Sequence, residues 1–222
     1  MNPRIEFDKQ YLGKKYILGI DEVGWGCVAG PVVLGACLIP IDFYKNFEEL
    51  EKSNSFFGDI KDSKKVNEYN RGVLYEKILA YTGWEVKTGS ADVSYINKNR
   101  LAISYTKAFD EIISHFGDKV KDSVILVDGN RDPKSNLIKN VNLIIKGDDK
   151  SFCIGVASLY AKEFRDQYMR ELEKKSPRYA NYQFNKNKGY GTLEHANLIR
   201  QFGLSDEHRE DASRKLILKS LF

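Results

Sequence analysis

Cysteines are few in this sequence, and their arrangement builds neither a covalent framework nor a metal site. Cys27, Cys37 and Cys153 are an odd number in apolar surroundings, without a Cys-x-x-Cys pair or histidines at ligand spacing. Disulfide-rich domains and zinc sites both depend on such spacing. We therefore expect three buried thiols, and we exclude a disulfide scaffold and a zinc protein.

Long apolar runs, internal repeats and low-complexity stretches are also missing. No run reaches the roughly 18 apolar residues of a membrane span, and the N-terminus is charged from Arg4 onward, unlike a signal peptide. We expect a soluble, cytoplasmic protein. With 222 residues, of which 42% are hydrophobic, the chain is long enough to bury a core and to form one domain with a small appendage.

Charge is distributed unevenly along the chain. Residues 1–120 carry 16 Lys and Arg against 17 Asp and Glu, whereas residues 121–222 carry 19 against 14. A basic C-terminal half suits a polyanionic substrate held near metal ions, and an ordinary solvated surface explains the same excess equally well. Net charge alone does not decide between them.

Hydrophobic patterning predicts a mixed α/β sheet flanked by helices. Apolar runs at 16–20 and 31–39 predict a hairpin that leaves Asp21 and Glu22 at the sheet edge. The segments "WEVKTGS", "SVILVDGN" and "VNLIIKGDD" predict further strands. A sheet made of hairpins first and of strand–helix alternation afterwards is therefore expected.

Helical periodicity predicts three helical segments. The first covers 66–83 and ends at a cap on Gly83, and its buried stripe consists of Val73, Leu74, Ile78 and Tyr81. The second covers 91–117, as one or two helices that stop at glycine. The third covers 151–175 and is capped by Asp148 or Asp149.

A looser composition from residue 176 onward divides the chain. Glycine, asparagine and aromatic residues are frequent there. We predict a catalytic domain over 1–175 and a helical C-terminal subdomain over 176–222.

Three of the predicted strands end in carboxylates: Asp21 and Glu22, then Asp128, then Asp148. A single acid at a strand end is often only a cap or a turn residue. If the strands are neighbours, however, the acids converge, and their repulsion requires cations. Oxygen ligands without His or Cys favour Mg²⁺ or Mn²⁺. Two such ions are a known device for phosphodiester hydrolysis, so the pattern predicts a metal-dependent nuclease.

The third predicted helix carries one more acid. Ser151, Gly155, Ser158, Lys162 and Asp166 form a small and polar stripe at helical spacing. The stripe would bring Asp166 toward the metal ions. Alternatively, Lys162 and Asp166 form an ordinary i,i+4 surface ion pair, and spacing leaves both interpretations open.

Seven motifs together resemble one family. The segments "GIDEVGWGCVAGP", "DSKKV", "VDGN", "KGD", "SLYAKEFRD", "KGYGT" and "EHR" occur in the order and approximate spacing of ribonuclease HII, the type 2 ribonuclease H. The resemblance covers roughly residues 16–210. It implies a ribonuclease H-like sheet with a small helical C-terminal subdomain. It also implies an endonuclease that hydrolyses the RNA strand of RNA/DNA hybrids and nicks duplex DNA 5′ of an embedded ribonucleotide, leaving 3′-hydroxyl and 5′-phosphate ends.

The resemblance also assigns the acids. By motif position, Asp21, Glu22, Asp128 and Asp148 match the family's four catalytic carboxylates, which bind two Mg²⁺ or Mn²⁺ ions. Asp166 matches a further acid near the metals. These are the same acids that the strand ends select.

Residues that would contact the substrate follow from the same motifs. Gly24 and Gly26 permit the close backbone approach that sensing a 2′-hydroxyl requires. Trp25 stands where the family normally has arginine, and it either stacks on a base or sugar or packs against the C-terminal subdomain. Tyr190 matches a tyrosine that packs on the sugar following the ribonucleotide.

Basic residues complete the expected substrate contacts. Lys64 and Lys65 match a loop near the scissile backbone, and further candidates for phosphate binding are Lys146, Lys186 and Lys188. Arg209 is retained from a C-terminal family motif of which other positions are lost. The last segment, "SRKLILKSLF", either closes the fold or docks a replication clamp. The resemblance suggests a monomer.

Two alternatives remain at this point. A ribonuclease HIII-like enzyme would prefer longer RNA tracts, but that family usually adds an N-terminal substrate-binding domain, and only 15 residues precede Tyr16. A hybrid-binding protein with weak or no catalysis is suggested by Trp25 and by the altered C-terminal motif. All four acids are present, which favours the enzyme.

Overall fold

A mixed five-stranded sheet lies at the centre of the computed structural model, which describes residues 2–60 and 66–220. The strands are β1 (Tyr16–Val23), β2 (Val32–Pro40), β3 (Glu85–Ala91), β4 (Ser123–Asp128) and β5 (Asn142–Ile144). Their order in the sheet is β3-β2-β1-β4-β5. The first three strands in the chain pair antiparallel, whereas β4 pairs parallel with both β1 and β5. The predicted fold class is confirmed.

Helices cover the two faces of this sheet. They are α1 (Pro3–Asp8), α2 (Ile41–Lys45), α3 (Phe47–Ser53), α4 (Glu68–Ala80), α5 (Val93–Phe116), α6 (Gly147–Lys150), α7 (Phe152–Lys175), α8 (Pro177–Ala180), α9 (Phe184–Asn187), α10 (Leu193–Phe202) and α11 (Glu210–Lys219). The long helix α7 packs on β1 and β2, and α5 packs on β3 and β2. Two buried apolar clusters result, one that includes α7 residues and one that includes α5 residues.

Strand β1 continues beyond its apolar residues. Asp21 pairs with Gly35 and Val23 with Val33 of β2, so the strand includes both acids. The expectation that Asp21 and Glu22 follow the strand is therefore wrong, because pairing with β2 extends it. Pairing with β4 stops at Ile20 opposite Val127. The next residues on these neighbouring parallel strands are Asp21 and Asp128.

Two details of the predicted helices are wrong. Helix α4 ends at Ala80 with Tyr81 as its C-cap, so Gly83 does not cap it, and Val73 is 41% exposed rather than buried. Helix α7 begins after Ser151, whose hydroxyl accepts a hydrogen bond from the Ile154 amide at 3.1 Å. Serine at this position satisfies an otherwise unpaired amide. Asp148 and Asp149 consequently do not cap α7.

The segment 91–117 contains both of the anticipated features. Helix α5 is interrupted at Arg100, where φ is 68°, so it consists of two helical pieces. It stops before Gly117, whose φ of 51° suits a glycine C-cap. All three cysteines are buried free thiols, as predicted.

A third apolar cluster connects the C-terminal helices to the rest of the fold. Val28 before β2 and Met169 of α7 pack with Tyr182, Phe184 and Ile199. The division into 1–175 and 176–222 stays a prediction. In the described residues, no helix combines the length and the apolar character needed to cross a membrane.

Candidate active site

Four carboxylates, which we call the carboxylate cluster, come from three neighbouring elements. Asp21 and Glu22 lie in β1, Asp128 ends β4, and Asp148 lies in α6. Asp21 and Asp148 are buried, and the other two are partly buried. The structure therefore brings together the four acids that the sequence selected.

The cluster holds negative charges close to one another in a poorly solvated place. Burial raises the pKa of the Asp21 carboxyl well above its usual range, and the charges of Asp128, Glu22 and Asp148 raise it further. Burial also raises the pKa of Glu22, which the Arg131 guanidinium partly offsets. Like charges in one site disfavour simultaneous ionisation. The arrangement is therefore unfavourable for the acids themselves and suits a cation.

Neighbouring groups orient these carboxylates. The Gly147 amide donates to Asp128 Oδ1 at 2.5 Å, and the Ser158 side chain hydrogen-bonds to Asp21. Arg4 of α1 donates to the backbone carbonyls of Asp148 and Ser151, at 2.5 and 3.1 Å. The last two contacts fix α6 against the start of α7. The acids are thus held in place by both backbone and side-chain donors.

The donor set fits a hard divalent cation. It contains carboxylate oxygens and no thiolate or imidazole, which is the set that Mg²⁺ and Mn²⁺ prefer. Within residues 2–60 and 66–220, no group of three or more His, Cys, Asp or Glu side chains is arranged so that it could hold a metal ion as it stands. The cluster is an open arrangement of acids rather than a finished structural metal site.

A groove beside the cluster is formed by the loop between β1 and β2. Its lining residues are Asp21, Glu22, Val23, Gly24, Trp25, Gly26, Asp128, Ser158, Lys162 and Tyr190. The two glycines of this loop differ. Gly24 is buried with φ of 86°, and a Cβ there would lie 2.7 Å from the Pro31 carbonyl oxygen. Gly26 is exposed, and a Cβ there would meet no atom within 4 Å.

This difference separates two roles for the glycines. Gly24 is required by the fold, since an L residue would be strained and would collide with its surroundings. Gly26 leaves open space where a ligand backbone can approach. Close approach to a substrate, predicted for both glycines, is supported by the structure only at Gly26.

Two arginines, Arg165 of α7 and Arg209 directly before α11, hold the loop between β1 and β2 in place. Arg209 donates to the backbone carbonyls of Gly30, Trp25 and Cys27, and Arg165 donates to those of Pro31 and Ala29. Both arginines are buried. The Arg209 guanidinium is thus directed to loop carbonyls, and its contact with a substrate stays a prediction.

Tyr190 lines the same groove as Asp21, Glu22 and Asp128 and is 41% exposed. Its backbone forms an isolated bridge with Cys27, and Lys162 Nζ lies 5.6 Å from its ring centroid. The ring therefore has an accessible surface beside a cation. Both features suit a sugar-phosphate backbone.

Trp25 packs against α5 and the segment after β4. Its ring meets Tyr105 of α5 edge-on, with centroids 5.8 Å apart, and the Arg131 guanidinium lies 3.5 Å from its centroid. The expectation that Trp25 packs against the C-terminal subdomain is therefore wrong, because its side chain contacts α5 and the loop after β4 instead. Stacking on a nucleotide stays a prediction.

Asp166 lies in a buried group of ion pairs, which we call the ion-pair network: Arg71, Lys162, Glu163, Asp166 and Arg170. Arg71 Nη2 is 2.7 Å from Asp166 Oδ2, and Lys162 Nζ is 2.6 Å from Oδ1. The i,i+4 pair therefore exists but is buried. Asp166 is only 1% exposed, and a charged carboxylate that is buried so deeply needs cations nearby. Each of its two oxygens faces one. Its role at a metal stays a prediction.

Comparison with known proteins decides the family. The family model for ribonuclease HII matches residues 18–216. A ribonuclease HII of Clostridium beijerinckii is 36% identical over 220 residues, which covers 96% of this chain and 73% of that protein. One of Rickettsia bellii is 36% identical over 216 residues, covering 96% and 99%. This chain belongs to the ribonuclease HII family.

Solved structures confirm the fold. Ribonuclease H2 of Pyrococcus horikoshii superimposes with a TM-score of 0.64 at 22% identity, covering 93% of this chain and 99% of that one. The ribonuclease HII in a PCNA complex from Archaeoglobus fulgidus gives 0.64 at 21% identity, covering 87% and 93%. Bst-RNase HIII in complex with Mn²⁺ gives 0.64 at 16%, covering 99% and 74%. These likenesses concern the fold alone.

Membership in ribonuclease HII makes this chain a type 2 ribonuclease H, a hydrolase. Two residues that contact the site were not selected from the sequence: Arg131, which stacks on Trp25, and Gly147, whose amide donates to Asp128. Only the tertiary structure brings these groups together. Lys146 is exposed, and its backbone adopts the left-handed conformation, with φ of 56°. Lys64 and Lys65 lie outside the described residues.

Proposed function

We propose that this chain is a divalent-metal-dependent endonuclease that hydrolyses the RNA strand of RNA/DNA hybrids and nicks duplex DNA 5′ of an embedded ribonucleotide. The products would carry 3′-hydroxyl and 5′-phosphate ends. One observation carries the proposal: four carboxylates from β1, β4 and α6 share a poorly solvated site beside an open glycine loop. Family membership supplies the reaction class.

Asp21, Glu22, Asp128 and Asp148 would hold the metal ions, for which we propose Mg²⁺ or Mn²⁺. The fit rests on their oxygen-only donors and on the burial and mutual repulsion that raise the pKa of Asp21. When bound, a pair of such ions supplies an activated water and stabilises the leaving oxygen. The Mn²⁺ complex of Bst-RNase HIII is consistent with this choice of metal.

The chain's own residues would position the substrate and the acids. The Gly147 amide and Ser158 keep the oxygens of Asp128 and Asp21 in place before substrate arrives. The open space at Gly26 would admit the ribose that carries the 2′-hydroxyl. The exposed ring of Tyr190 would pack against the next sugar.

Cleavage of three end-labelled duplexes tests the proposal. One contains a single ribonucleotide, one a short RNA tract and one only DNA, each with Mg²⁺ and with Mn²⁺. We expect cleavage 5′ of the lone ribonucleotide and none of the DNA. Asp148→Asn serves as the inactive variant, and Asp122→Asn is its matched control because Asp122 lies before β4, at the far end of the sheet, paired with Lys15.

Other outcomes would favour the alternatives. Cleavage of the tract alone would favour a ribonuclease HIII-like specificity. Binding of the duplexes without cleavage in either metal would favour a hybrid-binding protein. Cleavage by Asp148→Asn at the wild-type rate would contradict the assignment of the cluster.

The C-terminal tail bears on the partners that we propose for this chain. The tail packs partly into the fold, since Leu216 and Ile217 contact the third apolar cluster, whereas Leu218 is 61% exposed. The PCNA complex of the Archaeoglobus fulgidus protein is consistent with clamp docking in this family. For this chain, clamp docking through the tail, a monomeric state and a cytoplasmic location stay predictions.

A further inference from the structure

The loop between β1 and β2 faces the groove without a cation of its own. The segment 24–30, "GWGCVAG", contains no basic residue. A nucleic-acid backbone that enters the groove must approach four carboxylates, so nearby positive charge is needed to hold its phosphates. Lys162 lines the groove, but it is committed to Asp166 at 2.6 Å.

Arg131 supplies a cation to this loop from the segment after β4. Its guanidinium carbon lies 3.5 Å from the Trp25 ring centroid and 5.9 Å from that of Tyr105. Its Nη1 donates to Glu22 Oε1 at 2.9 Å. The Arg131 side chain remains 36% exposed. The cation is therefore attached to the groove rim and is accessible to solvent.

The stacking fixes the orientation of this cation. A guanidinium over an indole is held by cation–π attraction and by its planar shape, which an ammonium group lacks. Stacking occupies the faces of the guanidinium and leaves its in-plane N–H groups for oxygen acceptors. A guanidinium has five such N–H groups, and Glu22 uses one. The remaining geometry suits a phosphate, which arginine binds through paired N–H groups.

We propose that Arg131 binds a phosphate of the nucleic-acid backbone beside the glycine loop, and that Trp25 is the platform that orients its guanidinium for this contact. The inference rests on the proposed function. It goes further by assigning to Trp25 a support for a cation in place of direct stacking on a base. A simple counter-ion for Glu22 would need neither the aromatic platform nor solvent exposure.

Equilibrium binding as a function of salt tests this role. The probe is a fluorescein-labelled duplex with a single ribonucleotide, titrated in Mg²⁺ with proteins that carry Asp128→Asn to prevent cleavage. Arg131→Gln should weaken binding about tenfold. It should also reduce the slope of log K against log[salt] by about 1, since one phosphate contact is lost.

Two further variants separate charge from orientation. Arg131→Lys should keep the slope but bind more weakly, because lysine cannot present the stacked planar fork. Trp25→Leu should behave like Arg131→Lys, since the charge stays while its platform is lost. Lys121→Gln is the matched control: Lys121 lies before β4, remote from the groove, and is paired with Asp118. It should bind as the parent does.

Specific results would overturn the proposal. An unchanged slope and affinity in Arg131→Gln, with only its affinity for Mg²⁺ raised, would make Arg131 a counter-ion of Glu22. Equal losses in Arg131→Gln and Lys121→Gln would make the effect one of net charge. Because binding is read directly, these outcomes are independent of cleavage, and failure of the proposed activity is seen separately as an uncut duplex with the wild-type chain.

Discussion

The carboxylate cluster and the ion-pair network both place acids in poorly solvated parts of the fold, but their surroundings differ. In the network, Glu163 and Asp166 each face cations, with Arg71 only 3.1 and 2.7 Å away. In the cluster, the charged groups that act on Asp21 are other carboxylates. Buried acids that are paired with cations stabilise the fold, whereas buried acids that repel one another destabilise it. The carboxylate cluster is therefore the group that we assign to function.

The largest expected effect comes from neutralising one acid of the cluster. Asp128→Asn should lower the nicking rate by roughly a thousandfold, since about 4 kcal/mol of transition-state stabilisation depends on the site. The free energy of unfolding should stay equal or rise, because the substitution removes one repelling charge. Nicking rates and urea denaturation measure the two effects. A nicking rate of Asp128→Asn within about tenfold of the wild-type rate would show that Asp128 is not part of the active site.

The opposite result is expected in the ion-pair network. Arg71→Met should lower the free energy of unfolding by about 3–5 kcal/mol, because it removes the cation that the buried Glu163 and Asp166 share and leaves one oxygen of each acid unpaired. Urea denaturation checks this, with Lys77→Ala on the exposed side of α4 as control. Adding Glu163→Gln and Asp166→Asn to Arg71→Met should restore much of the loss. No restoration would show that packing, not charge, explains the effect.

A third effect concerns two histidines that support the Tyr190 loop. The Ser205 amide donates to His208 Nδ1 at 2.9 Å, so His208 Nε2 must donate to His195 Nε2, 3.0 Å away. His195 Nδ1 then donates to the Tyr190 carbonyl at 2.9 Å. This chain of bonds requires both rings to be neutral. Burial lowers the pKa of His208 from 6.5 to about 3, and burial also lowers that of His195.

Stability should therefore fall as the medium is acidified. Below pH 6.5 the unfolded chain binds protons that the folded chain excludes, so stability is lost progressively between pH 6.5 and about 3. The slope that His208 contributes approaches about 1.4 kcal/mol per pH unit. Urea denaturation at several pH values, compared between wild type and His208→Gln, measures it. Equal slopes in both proteins would contradict the neutral pair.

The smallest effect on stability is expected for substitutions of the two loop glycines, and it should differ between them. Gly26→Ala should change the free energy of unfolding by less than about 0.5 kcal/mol, since the new Cβ meets open space. Gly24→Ala should destabilise by about 1 kcal/mol or more because of its positive φ. Discrimination between single-ribonucleotide and all-DNA duplexes should fall in Gly26→Ala. Unchanged discrimination would exclude close substrate approach at Gly26.

The sequence predicts the sheet and the four acids, but not the contacts that distinguish the two groups of acids. Apolar runs predict β1, β2 and β4, because burial on both faces determines them. Arg71 and Asp166 are 95 residues apart in the chain, so no local pattern pairs them. The stack of Arg131 on Trp25 likewise joins two loops that only the parallel pairing of β1 and β4 brings together.

Thermal unfolding in the presence of Mg²⁺ or Mn²⁺ tests the central claim most directly, namely that the carboxylate cluster is a cation site. Ions that bind the folded chain raise its melting temperature with concentration. The cluster predicts a rise for the wild type and for Asp122→Asn, and none for Asp21→Asn. An equal rise in Asp21→Asn, or none in the wild type, would contradict it.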